Sequence, residues 1–97
     1  MPETTFTVRW PDGAEQRCWS PSLVVHDHLA VGASYPVEEF LDRTRTALAT
    51  ASERVRARYG FACTAAAAQL AEIEGVAAAS AAGEVRVLSM DPARVPS

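Results

Sequence analysis

The chain has 97 residues and a formal net charge of -3, with nine arginines, no lysine, twelve acidic residues and nineteen alanines. That length holds one small domain, residues 1–97, and no apolar run reaches the roughly 18–20 residues of a membrane span. The start MPETTFTV lacks the basic and apolar regions of a secretion signal, two cysteines suit a reducing compartment, and the acidic balance weighs against general nucleic-acid binding.

The first twenty residues read as a β-hairpin. Thr4 to Trp10 alternates polar and apolar, with Phe6, Val8 and Trp10 on one face. Pro11-Asp12-Gly13 is a turn: proline presets φ, aspartate suits the next position, and glycine accepts the left-handed site. Ala14 to Ser20 returns. A three-residue loop between Trp10 and Ala14 fixes the register. It sets Val8 against Gln16, Phe6 against Cys18, Arg9 against Glu15 and Thr5 against Trp19. Phe6, Val8, Trp10, Ala14 and Cys18 then share the core face, and Thr5, Thr7, Arg9, Glu15, Arg17 and Trp19 share the wet one.

Residues 20–35 follow. Leu23-Val24-Val25 suits a short strand or packed extended segment, with a one- or two-turn helix starting at Pro21 as the alternative. Val31-Gly32-Ala33 reads as a turn. From Pro36 to Tyr59 the pattern is helical. Val37, Phe40, Leu41, Thr44, Leu48, Ala51, Val55 and Tyr59 recur on one face at three- and four-residue steps. Ser34 suits the N-cap. Acids at the start and arginines at the end complement the dipole, Glu39 and Arg43 form an i,i+4 pair, and Gly60 stops the helix. A second, alanine-rich helix runs from Thr64 to about Ser80, marked by Leu70, Ile73, Val76 and Ala77. Glu84 to Met90 alternates as a third strand, and 91–97, with two prolines, reads as a frayed tail. The order gives an α+β fold. Its three-stranded antiparallel sheet comprises the hairpin 4–20 and a C-terminal strand 84–90, covered on one face by helices at about 36–59 and 64–80.

Three features carry chemistry. His26-Asp27-His28 would point both imidazoles to one face on a strand, within reach of a metal, but would part them by about 200° on a helix. A third ligand would come from Asp27, Cys18, Cys63 or a distant carboxylate; the structural reading has the triplet anchoring an irregular segment. Cys63 sits at a helix start, where the dipole lowers a thiol pKa, whereas the register buries Cys18 as an inert hydrophobe. Trp19, beside Arg17 on the polar sheet face, is either covered by residues 21–35 or open to a partner. The Arg54-Arg56-Arg58 run spreads around its helix as a solvated end.

RWPDG at 9–13, SPSLVVHDHL at 20–29, YPVEEFL at 35–41 and ASERVRARYGFAC at 51–63 stand in the order and spacing of a known family. Over about residues 1–74 the chain resembles the roughly 100-residue bacterial nitrogen starvation response proteins. These are encoded in a gene cluster with a nitrilase, a radical-SAM protein, an acetyltransferase-like protein and a flavin-dependent oxidoreductase. The resemblance implies a cytoplasmic protein tied to nitrogen scarcity, and to nitrile or cyanide assimilation through the nitrilase. It carries over no catalytic residues. The expected function is a small accessory protein that binds enzymes of that cluster, or a second copy of itself as a homodimer, through the outer sheet face and residues 20–35. No cofactor is expected on this reading. The alternative is a small enzyme or a ligand- or metal-binding domain using His26, Asp27, His28 and Cys63.

Overall fold

A computed structural model describes residues 3–60, 64–80 and 82–91. The elements are β1 (Thr4–Arg9), β2 (Glu15–Ser20), a 3-10 helix (Leu23–Asp27), β3 (Ser34–Pro36), α1 (Val37–Tyr59), α2 (Thr64–Ala79) and β4 (Glu84–Asp91). All pairings are antiparallel, and the sheet order is β2-β1-β4-β3.

The hairpin register is the expected one, with Phe6 opposite Cys18, Thr5 opposite Trp19 and Arg9 opposite Glu15. Its turn closes through Gly13 N–H to the Trp10 carbonyl and Trp10 N–H to the Ala14 carbonyl, both 2.8 Å. Gly13 has φ +90, a conformation that costs a glycine nothing. The Arg9–Glu15 ion pair spans 3.0 Å on the exposed face.

The sheet has four strands, not three. Ser34–Pro36, expected as the cap region of α1, forms β3 against Glu84–Arg86. The residue before a proline is pushed toward extended backbone, and a proline that lacks N–H is tolerated in an edge strand. Pro36 rather than Ser34 is therefore the N-cap of α1, without a side-chain cap bond. The strand option for 23–25 gives way to the short helix, whose N-cap Ser22 accepts from Val24 N–H at 3.2 Å. β4 runs one residue further than expected, through Asp91; the remainder of the expected tail, 92–97, lies outside the described residues.

β4 breaks its own alternation. Val8 faces Val87, but Thr7 faces Ser89 and Phe6 faces Met90, so Leu88 is a bulged extra residue. Strict alternation from Val85 and Val87 would send Ser89 inward. The bulge shifts the parity, leaving Ser89 exposed and Met90 buried.

Both helices lie over the Phe6–Val8–Trp10 face, as expected. The core joins those three residues and Cys18 to Val25, Leu29, Phe40, Ala47, Leu48, Ile73, Val85, Val87 and Met90. Trp10 meets Phe40 edge-to-face at 5.5 Å, an arrangement aromatic pairs favour. α1 outruns this core: residues 56–60 are exposed, and Tyr59, expected on the buried stripe, is 50% exposed. In α2 only Ala66 and Ile73 are buried. An ion pair from Arg45 to Glu74 at 2.8 Å ties the two helices.

Candidate functional site

The segment after β2 is fixed at both ends. At its start, the hydroxyls of Thr4 and Ser20 donate to the Ser22 carbonyl at 3.2 and 3.0 Å, in a buried polar knot. At its far end Arg43 reaches over from α1. One guanidinium N–H donates to the His28 carbonyl at 3.1 Å, another to Glu39 at 3.2 Å, and the plane stacks 4.8 Å from the Tyr35 ring centre. The Tyr35 hydroxyl accepts the Ala30 N–H at 3.0 Å. Arg43 and Tyr35 thus add side-chain ties to residues 28–30, while Gly32 and Ala33 bond Val87 of β4 through their main chain.

His26 lies in the 3-10 helix and His28 caps it, donating its N–H to the Val25 carbonyl at 3.1 Å. Three residues per turn set side chains two apart about 120° from each other around the axis, so the shared face of a strand is lost. Asp27 is exposed. Among the described residues no three of His, Cys, Asp and Glu are grouped to hold a metal ion; Cys63, the fourth candidate, lies outside those residues. Cys18 is 1% exposed, and burial, with the Glu72 carboxylate adding to it, pushes its thiol up to about 12. At neutral pH burial keeps that thiol protonated.

Trp19 and Arg17 stand where the register put them, on the face the helices leave bare. Trp19 is half-buried there, and its bonds run to the N-terminus and α2. The indole N–H donates to Glu3 at 2.9 Å, and the main-chain N–H donates to the Gln69 side chain at 3.0 Å. The face is laid out in rows. Glu15, Arg9, Arg86 and Ser34 form one; Arg17, Thr7 and Ser89 the next; Trp19, Thr5 and Asp91 the last.

One concavity was not foreseen. His26, Leu29, Ala30, Val31, Leu88, Ser89 and Met90 line a half-open groove of about 420 Å³ between the 3-10 helix and β4. A sequence signal existed for half of it, the apolar Val31 in a turn. The other half depends on the bulge at Leu88, which no local pattern marks.

Among the described residues no helix is long and apolar enough to cross a membrane. No curated protein and no solved structure matches the chain. The family model for nitrogen starvation-induced protein NitG matches residues 5–90. That span takes in β4 as far as Met90 and reaches past the 1–74 over which the resemblance was read. The chain therefore belongs to the NitG family of nitrogen starvation-induced proteins.

Proposed function

We propose that this chain is a small accessory protein of the nitrogen-starvation response that acts in the bacterial cytoplasm by binding a protein partner. The first candidates are the enzymes of the nitrilase-containing gene cluster. The observation that carries the reading is the sheet face that neither helix covers. Both helices pack on the other side, and on this one the Trp19 indole N–H is tied to Glu3 and the Trp19 main-chain N–H to Gln69, beside exposed Arg17. Aromatic and arginine side chains dominate the energetics of protein interfaces, and an anchor already held in place loses less freedom on binding.

The test is capture of the cluster enzymes by the immobilised full chain. At least one should bind, and Trp19→Ala with Arg17→Glu should weaken it more than tenfold, the scale expected of a central anchor. The variant should keep its helical circular dichroism, since Arg17 is exposed and Trp19 lies outside the core. Absence of binding to every cluster enzyme would sink the proposal.

A further inference from the structure

The sheet has two edges, and they are finished differently. On β2 the outward edge carries exposed Glu15 and Arg17, and the Trp19 N–H is occupied by the Gln69 side chain. Charge and cover of this kind stop a strand edge from recruiting another chain. On the other side β3 covers only Glu84–Arg86. Two more bonds extend that cover by one residue: Gly32 N–H to the Val87 carbonyl at 2.8 Å, and Val87 N–H to the Ala33 carbonyl at 3.0 Å. The chain running back through Val31 and Ala30 then leaves the strand.

From Leu88 to Met90, β4 is therefore hydrogen-bonded along β1 alone among the described residues. Neither a charge nor a proline interrupts those three positions. They open directly onto the 420 Å³ groove, whose floor is buried Leu29 and Met90 and whose rim is Val31, 56% exposed. Its volume falls within the roughly 300–1,000 Å³ of sites that hold a ligand.

We propose that this groove binds an extended peptide segment, which adds to β4 as a further strand and lodges one bulky apolar side chain against Leu29, Val31 and Met90. Unpaired main chain supplies the affinity of such an arrangement, and an adjacent apolar pocket supplies its selectivity. Extent decides against a second copy of this chain as the occupant. Three residues of strand span about 10 Å. Pairing over that length falls well short of the roughly 1,200 Å² that a stable interface between folded chains buries. A flexible segment does not need that area. The site is separate from the Trp19 face and goes beyond the partner-binding reading, so each stands or falls on its own variant.

The experiment uses the full chain labelled with ¹⁵N and a capped hexapeptide of alternating valine and threonine. The peptide should shift the amide signals of Leu29, Val31, Leu88, Ser89 and Met90 in a saturable way. Methylating the alternate peptide nitrogens that face β4 should weaken binding about tenfold, and so should Val31→Glu. Should Val31→Glu lose the folded spectrum, Ala30→Glu, also at an exposed position on the groove wall, takes its place. Trp19→Ala should leave peptide binding unchanged. Three outcomes would overturn the proposal: no shift at these five residues at millimolar peptide, binding indifferent to N-methylation, or self-association of the chain through β4.

Discussion

The thiol of Cys18 faces Phe6 across the β1–β2 ladder, and its raised pKa has a consequence for stability. An unfolded cysteine ionises near about pH 8.5. In the fold burial holds the proton on until about 12. Between those values the unfolded chain has released a proton that the native chain retains, so unfolding gains ground as pH rises. The stabilisation is whole below about pH 8.5 and is lost progressively above it. In a Cys63→Ser background, which leaves Cys18 as the single thiol, the urea midpoint should fall from pH 8 to pH 10. Adding Cys18→Ala should remove most of that fall while costing stability at every pH. An equal decline in both proteins would place the titration elsewhere. The position of Cys18 was legible in the sequence, because Pro11-Asp12-Gly13 pins the register and the register sets Cys18 opposite Phe6; Ala14, expected on the same core face, is exposed beside the turn. His26 and His28 were not legible. Their relation depends on whether residues 23–27 are strand or helix, and Ser22 settles that by accepting the Val24 N–H.

At the scale of elements, local pattern specified what local forces build. α1 follows from its 3.6-residue period, and the hairpin follows from its turn. β3 escaped because three residues are too few for an alternation to show, and its pairing is with residues about fifty positions away. α2 declared itself a helix but hid its orientation, since alanine on every side leaves no polar face to point outward. Gly83 shows how such distant pieces are joined. Its carbonyl accepts the first N–H of α1, from Val37 at 3.2 Å, and its backbone lies against the Pro11 turn. It has φ +152, and a Cβ there would sit 2.9 Å from the Pro11 Cβ, closer than real carbon contacts allow. Neither a proline ring nor a turn main chain yields easily. Gly83→Ala should therefore cost about 1–3 kcal/mol, measured by urea unfolding, from backbone strain and the clash together. Gly75→Ala, inside α2 with open space around it, is the control and should stabilise by up to about 1 kcal/mol. If both substitutions behave alike, the Pro11 contact is not what constrains Gly83.

For the molecule as a whole, the question is whether a sheet covered on one side can stand alone. Its accessible surface is 5570 Å², against about 5,400 Å² expected for a compact monomer of this mass. The radius of gyration is 12.9 Å, against about 12.5 Å. Neither leaves a surplus that a second copy would be needed to hide. The face that the helices leave uncovered explains why: apart from Trp19, threonines, serines and charged residues occupy its rows, with Arg9 and Glu15 paired, so water is an adequate neighbour. A face that water tolerates gains little from meeting itself, whereas a shaped partner could still use Trp19 and Arg17. Sedimentation equilibrium of the full chain should accordingly give a single species near 10.4 kDa across the micromolar range. Trp19→Ala should leave that mass unchanged while weakening capture of a cluster enzyme. A species of about twice that mass, lost in Trp19→Ala, would mean that the indole is buried by a second copy; the bare face would then be the contact between subunits, and the partner would have to bind elsewhere.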